Sequence, residues 1–254
     1  MAKKVAEQLV DTLIEAGVRR IYAVTGDSLN EVNEAVRQNE AMKWIHVRHE
    51  ETGAYAAGAE AQLTGLPGCC AGSSGPGHVH LINGLYDAHR SGAPVIAIAS
   101  TIPTGEFGTE YFQETNTVKL FNDCSFYNEM ATTPEQFPRM LQSALQTATT
   151  RKGVAVVGLP GDLAKKPAVK VESSEQIYPL ASSVCPAEED LIRLAGMLNH
   201  YERITLFCGI GCKGAHEEII RMSETFKAPV AYTFKGKMEV QYDNPYEVGM
   251  TGLL

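Results

Sequence analysis

The residues best suited to chemistry are two adjacent acids, Glu50 and Glu51, in the segment WIHVRHEETGAYAAGAEAQLTG of residues 44–65. They stand where a short apolar run meets a stretch rich in small residues. One interpretation is an acid in a first helical turn, which the helix dipole favours. The other is a buried acid that faces an apolar cleft and exchanges a proton near neutral pH. Glu50 is the candidate for that role, and Glu51 would point elsewhere on the helix.

A second candidate is the glycine-rich segment GSSGPGHVHLINGLYDAHRSGAPVIAIAS of residues 72–100. Glycines with Ser73 at the end of a strand allow a backbone to approach a ligand closely, although a tight strand-to-helix turn would use the same residues. The segment lacks the G-x-x-x-x-G-K-[ST] pattern, so a mononucleotide P-loop is disfavoured. His80 is either a ligand contact or a histidine of the core.

Two weaker motifs follow. CGIGCKGAH, residues 208–216, has the spacing G-x-G-x-x-G between a predicted strand and a predicted helix. The next strand ends at Phe234 and Lys235 without the acid that binds an NAD ribose, so a dehydrogenase is disfavoured. YFQET, residues 111–115, is either an exposed loop with aromatic anchors or part of a site.

Composition excludes several classes of function. The net charge of -8 and the isoelectric point of about 5.4 argue against a nucleic-acid partner. Acids interrupt the apolar positions of the first helix, which is therefore not a signal peptide, and no apolar run approaches the ~18 residues of a membrane helix. The cytoplasm is the expected compartment. The six cysteines form no paired CxxC array, so zinc binding by cysteines and disulfides are disfavoured.

Apolar runs alternate with helical patterns along the first part of the chain. The predicted strands are residues 21–26, 44–47, 68–72, 94–100, 125–131 and 153–160. The predicted helices are residues 5–16, 28–38, 50–63, 78–90, 115–122 and 134–149. Runs such as PVIAIAS lack polar alternation, which indicates parallel strands covered on both faces. The sequence therefore predicts an α/β fold with a doubly wound six-stranded parallel sheet.

Residues 162–186 change character, with three prolines and no clear period, and are predicted to be a linker. A second Rossmann-like α/β unit begins after them. Its predicted elements are a helix at 187–199, a strand at 203–208, a helix at 216–226 and a strand at 228–234. Only these two strands are clear before the sequence ends.

Together these segments resemble the thiamine-diphosphate (ThDP) enzymes of the pyruvate oxidase, quinone-linked pyruvate dehydrogenase and acetolactate synthase group. The matching pieces stand in the family's order and are VTGDSLN (24–30), VRHEETGAYAAGAEA (47–61), residues 72–100, YFQET, VVGLPGD (156–162), CGIGCKGAH and KGKMEVQYDNPYEVGMTG (235–252). The similarity is greatest to quinone-linked pyruvate dehydrogenase.

The resemblance implies two domains. Residues 1–180 would be the pyrimidine-binding domain, and residues 186–254 would begin a central FAD-binding domain. The family's third domain carries GDG and a following NN, which bind Mg²⁺ and the diphosphate, and no GDG occurs here. This chain would therefore supply no metal ligand, and by itself it is expected to be inactive and to bind cofactor weakly.

The resemblance also assigns residues. Glu50 would contact the aminopyrimidine ring of ThDP and activate the cofactor. The other expected ThDP and substrate contacts are Gly26, Ser28, Ser73 and His80, with Phe112 and Gln113 near the reacting carbons. The expected FAD contacts are Gly209, Gly211, Lys235, Gly236, Lys237, Met250 and Thr251.

The implied reaction is oxidative decarboxylation of pyruvate to acetate, with electrons passed through FAD to a quinone. The implied assembly is a homodimer or homotetramer, with membrane contact only through a C-terminal segment outside this sequence. Two alternatives stay open. One is a carboligase of the acetolactate synthase type or another ThDP-dependent 2-oxo acid decarboxylase, and the other is a non-catalytic pyrimidine domain that needs a second chain.

Overall fold

The computed structural model describes residues 3–169 and 184–251. The chain divides into two compact units, residues 1–182 and 183–254. Most of the predicted linker falls at residues 170–183 and lies outside the described residues.

Six strands and eight α-helices form the described part of the first unit. The strands are β1 (Arg20–Ala23), β2 (Lys43–His46), β3 (Gly68–Gly72), β4 (Val95–Thr101), β5 (Tyr127–Met130) and β6 (Val154–Pro160). The helices are α1 (Val5–Glu15), α2 (Asn30–Arg37), α3 (Glu50–Thr64), α4 (Pro76–Val79), α5 (Ile82–Arg90), α6 (Thr117–Leu120), α7 (Phe137–Arg151) and α8 (Gly161–Ala164).

The strands form one sheet in the order β2-β1-β3-β4-β6-β5, and every pair is parallel. The predicted six-stranded parallel sheet is confirmed. The chain passes from β1 to β2 on one side and then to β3 on the other side of β1. The carboxyl ends of β1 and β3 therefore flank the switch point, where open α/β sheets bind their ligands.

Strand residues alternate between two cores, one on each face of the sheet. Ile96 and Ile98 of β4 pack with α1, α2 and α7, whereas Val95, Ala97 and Ala99 pack with α3 and α5. Successive side chains of a strand point to opposite faces. A central strand between two helical layers therefore needs apolar residues on both of its faces, as residues 94–99 of the run PVIAIAS provide.

Three expectations for the first unit are corrected. The helix predicted at 78–90 is two helices, α4 and α5, because the amide of Leu81 bonds to the carbonyl oxygen of His78, three residues back, and tightens the turn. Strand β1 ends at Ala23 rather than at Gly26. The start of the predicted linker belongs to the first unit, since Leu163 and Ala164 of α8 are fully buried.

The second unit contains a sheet of three parallel strands in the order β7-β8-β9. The strands are β7 (Leu206–Cys208), β8 (Val230–Tyr232) and β9 (Glu247–Met250), and the helices are α9 (Glu188–His200), α10 (His216–Phe226) and α11 (Lys237–Val240). The expectation of two strands is wrong. The third strand is short and contains Gly249, whose φ is 104°. A glycine inside a strand weakens the sequence pattern from which the strand could be predicted.

None of the described helices combines the length and the apolar character that a membrane crossing requires. Cys69 and Cys70 are buried thiols in the centre of the sheet. Burial raises the pKa of Cys70 to about 12, because a thiolate is poorly solvated in the core.

Candidate active site

Glu50 is the first residue of α3 and lies just beyond the carboxyl end of β2. His49 before it is the N-cap in an extended conformation, and its Nδ1 accepts a hydrogen bond of 3.3 Å from the amide of Glu51. This cap turns the chain from strand to helix and directs Glu50 inward, where it is only 8% exposed. A carboxyl that is nearly buried in a first helical turn combines a favourable dipole with restricted access to water.

His80 is the protein partner of this carboxyl group. Its Nδ1 lies 3.0 Å from Oε2 of Glu50. The His80 ring also stacks on His49, with centroids 4.5 Å apart and an angle of 25° between the planes. His80 is thus a partly exposed ring that orients Glu50 from the turn between α4 and α5, and it is not a core histidine.

The glycine-rich turn after β3 forms the wall next to Glu50. A Cβ on Gly77 would lie 2.7 Å from Oγ of Ser73 and 3.5 Å from Oε1 of Glu50, and a Cβ on Gly26 would collide with the Ser73 side chain. Gly26 follows β1 and Ser73 follows β3, so the predicted contacts meet at the switch point of the sheet. The arrangement is a small cradle that larger side chains would fill.

A chain of hydrogen bonds connects this cradle with the loop that carries YFQET. Oγ of Ser28 accepts a bond of 3.0 Å from the amide of Ser74, and Oγ of Ser74 lies 3.2 Å from Oε1 of Gln113. Gln113 has a left-handed backbone at φ 65° and abuts Gly75. The structure therefore brings Gln113 to the glycine turn, whereas the Phe112 side chain points outward and is 79% exposed.

His78 is a buried hub that the sequence analysis did not single out. Its Nδ1 lies 2.8 Å from the carbonyl oxygen of Ser100, which can only accept, so Nδ1 carries the hydrogen and Nε2 accepts from the Thr115 hydroxyl. Burial lowers the pKa of His78 and keeps the ring neutral. The spacing His78-Val79-His80 could have signalled two roles, because residues two apart face different sides of a helix.

Asp162 anchors the start of the same loop. It accepts hydrogen bonds from the amide of Thr104 at 2.9 Å and from the Thr104 hydroxyl at 2.7 Å. Partial burial would raise the pKa of Asp162, but the bonds from Thr104 outweigh it, and the pKa lies below its usual value. Asp162, which follows β6, thus holds in place the loop that carries Gln113.

Replacing Asp162 by Asn is expected to lower the free energy of unfolding by about 1–2 kcal/mol at pH 7, because charge-assisted bonds are lost. A carboxyl whose pKa is depressed by folding stabilises the fold above its unfolded pKa and loses that contribution as pH falls through the folded pKa. Urea unfolding of the variant and the parent chain should therefore converge below pH 3.8. Asp87→Asn, at an exposed position, is the control. If the variant lost the same free energy of unfolding at pH 7 as below pH 3.8, this role of Asp162 would be contradicted.

The residues predicted to bind FAD gather at the carboxyl edge of the second sheet. Gly209 and Gly211 follow β7, residues 235–237 follow β8, Met250 ends β9 and Thr251 follows it. A Cβ on Gly236 would collide with the carbonyl group of Cys208, so the KGK turn packs directly on the glycine loop. A Cβ on Gly209 would meet only Oγ1 of Thr233 at 3.8 Å, and one on Gly211 would meet nothing within 4 Å, so the backbone of this loop is not crowded by neighbours.

A cavity of about 450 Å³ in the second unit has a different location. Residues such as Lys227, Pro229 and Pro245 line it, at the amino ends of β8 and β9. Ligands of parallel sheets bind at the carboxyl ends, so we assign this cavity no role in the site.

Comparison with known families agrees with this geometry. Residues 3–120 match the profile described as thiamine pyrophosphate enzyme, N-terminal TPP binding domain, and residues 191–254 match the central domain of the same enzymes. The chain belongs to the thiamine pyrophosphate enzyme family. Glu50 and the glycine turn both lie within the matched N-terminal domain, and the second glycine loop lies within the central one.

The proteins similar to this chain are named for different activities or for none. An uncharacterized 42.6 kDa protein of Pseudomonas amyloderamosa is 50% identical over 99% of this chain. A pyruvate oxidase of Lactiplantibacillus plantarum is 36% identical over 87% of the chain, and a chloroplastic acetolactate synthase of Arabidopsis thaliana is 29% identical over 99%. The chain spans 64%, 37% and 38% of the lengths of these three proteins.

Proposed function

We propose that this chain is the N-terminal part of a ThDP- and FAD-dependent enzyme that oxidises pyruvate to acetate and CO₂ and passes the electrons to a quinone. The observation that carries the proposal is the nearly buried Glu50 carboxyl group beside the glycine cradle at the switch point of the sheet. The pyruvate oxidase relative and the gathering of the flavin candidates support the oxidative outcome.

The described residues fit the aminopyrimidine end of ThDP. Oε2 of Glu50 is engaged by His80, and no described residue donates a hydrogen bond to Oε1, which faces the cradle. Oε1 therefore has an acceptor position open toward the cradle, where a protonated ring nitrogen of the cofactor would donate to it. Gly26, Ser28 and Ser73 would border the ring. Bound ThDP supplies an electron sink for the decarboxylation of a 2-oxo acid.

The protein's own residues would orient the cofactor and move one proton. Glu50 would accept or return that proton at Oε1, since proton transfer by a positioned acid is typically worth about 10²–10⁴-fold in rate. His80 would hold Oε2 and prevent rotation of the carboxyl group. The hydrogen bonds of Ser74 and His78 would hold the YFQET loop against the turn, with Gln113 and Phe112 near the reacting carbons.

The second unit would hold FAD at its carboxyl edge. Backbone amides of Gly209 and Gly211 would face the diphosphate, as in other G-x-G-x-x-G loops. Lys235, Gly236 and Lys237 would flank it, with Met250 and Thr251 at the end of β9. Mg²⁺ would be bound by residues outside this sequence, and the complete protein would act as a homodimer or homotetramer.

Two alternatives remain. A carboligase of the acetolactate synthase type would use the same glutamate and glycine turn, and the Arabidopsis relative favours it. A non-catalytic pyrimidine domain would depend on a second chain, although the match of residues 191–254 to a central domain speaks against a free-standing module.

The complete protein is expected to convert pyruvate, water and an oxidised quinone into equal amounts of acetate, CO₂ and quinol when ThDP, Mg²⁺ and FAD are present. Product analysis with a water-soluble quinone tests this. Acetolactate without quinone reduction would establish the carboligase instead. Unchanged pyruvate in the presence of every cofactor would reject both enzymatic functions.

A further inference from the structure

We propose that His49, Glu50 and His80 form a binding site for a first-row transition metal ion, of which Zn²⁺ is the natural probe. The ion would occupy the carboxyl group that the proposed function assigns to ThDP. Zn²⁺ would then compete with the cofactor at Glu50. The metal site itself stands on geometry alone, and only the competition rests on the proposed function.

The three residues offer the donor set that Zn²⁺ prefers. One ligand atom from each of them lies within 4.8 Å of the others. Ligand atoms at 2.0–2.2 Å from a tetrahedral zinc ion stand about 3.3–3.5 Å apart. The pair formed by Nδ1 of His80 and Oε2 of Glu50, at 3.0 Å, is already near that spacing. The imidazoles of His49 and His80 would have to turn out of their stack to point their nitrogen lone pairs at one ion.

Burial divides the site into a fixed part and an adjustable part. Glu50 is nearly buried, and its Oε2 is held 3.0 Å from Nδ1 of His80. The His49 and His80 side chains are 48% and 43% exposed, so their rings can turn toward an ion and solvent can reach it. Three protein ligands with one open position are typical of zinc sites that exchange a bound water.

Nearby charges also favour an ion. The N-terminus of α3 repels a cation, but the carboxyl groups of Glu50 and Glu51 oppose that field. Oε2 of Glu51 lies 3.8 Å from Nδ1 of His49. In this structure Nδ1 of His49 accepts a hydrogen bond from the amide of Glu51. Binding of the ion at Nε2 would move the ring hydrogen to Nδ1, which would then face the Glu51 carboxylate, the usual outer partner of a ligating histidine.

Calorimetric titration of the 254-residue chain with Zn²⁺ tests the site. We expect one Zn²⁺ to bind, and we expect His49→Asn and His80→Asn each to weaken its affinity at least about tenfold. His200→Asn, at an exposed histidine on α9, is the matched control and should bind as the parent chain does. Measuring every variant in the Cys185→Ser, Cys212→Ser background removes binding by the accessible thiols. Circular dichroism verifies that each variant is folded.

Equal Zn²⁺ affinity in the parent chain, His49→Asn and His80→Asn would overturn the site. A second titration of the complete protein, with ThDP and saturating Mg²⁺, separates the two proposals. A rise in the apparent Kd for Zn²⁺ as ThDP increases supports the shared carboxyl group. Zn²⁺ binding that needs both histidines but ignores ThDP would uphold the metal site and contradict the assignment of Glu50 to the cofactor.

Discussion

Replacing Glu50 by Gln in the complete protein is expected to lower kcat for pyruvate by about 10²–10⁴-fold, the range that a positioned general acid or base contributes. The amide has nearly the same shape and can still contact His80, so the fold should persist. It cannot accept and return a proton. The loss should therefore appear in kcat, and ThDP affinity should change less. Steady-state kinetics at saturating ThDP and Mg²⁺ measure both quantities.

Glu60→Gln is the matched control for this variant. Glu60 belongs to the same helix, but it pairs with Arg20 at the amino end of β1, far from the carboxyl edge of the sheet. Removing that partly exposed ion pair should change the free energy of unfolding by about 1 kcal/mol and leave kcat within a few-fold of the parent. If Glu50→Gln retained parental turnover, Glu50 would have no part in proton transfer.

Replacing Gly72 by Ala is expected to destabilise the first unit by about 3 kcal/mol, because it overpacks a site bounded by backbone. The new Cβ would lie 2.5 Å from the carbonyl oxygen of Gly77, 2.7 Å from its carbonyl carbon and 2.6 Å from Cα of His78. Backbone atoms cannot rotate away as a side chain can, so the turn after β3 must shift. Urea unfolding measures the loss.

The same shift should weaken ThDP binding, since Gly77 stands against Ser73 and Glu50. Gly105→Ala is the control. A Cβ there would meet nothing within 4 Å, and its free energy of unfolding should change by no more than about 0.5 kcal/mol. Parental stability in Gly72→Ala would mean that β3 and the glycine turn are packed less closely than the structure shows.

The sheet could be predicted because its signal is local and strong. In β4 and β6 every residue is apolar or small and buried, and only a strand between two helical layers needs that pattern. Glu50 could be placed at the start of a helix because a β-rich run precedes it and small residues follow it. These features depend on neighbours in sequence.

Other features depend on partners distant in sequence. The stacking of His49 on His80 joins segments 31 residues apart, and the bonds of His78 to Ser100 and Thr115 join helix α4 to strand β4 and to the YFQET loop. The break between α4 and α5 comes from one tightened turn, for which no proline gives a signal. Strand β9 is defined by its pairing with β8, and because it contains a glycine its sequence does not show the alternation that would predict a strand.

A crystal structure of the complete protein with ThDP and Mg²⁺ tests the central claim most directly. We expect a pyrimidine ring nitrogen within hydrogen-bonding distance of a Glu50 carboxylate oxygen, with Gly26 and Ser73 against the ring and His80 on the other oxygen. A cofactor ring bound elsewhere, with Glu50 touching only His80, would contradict the account.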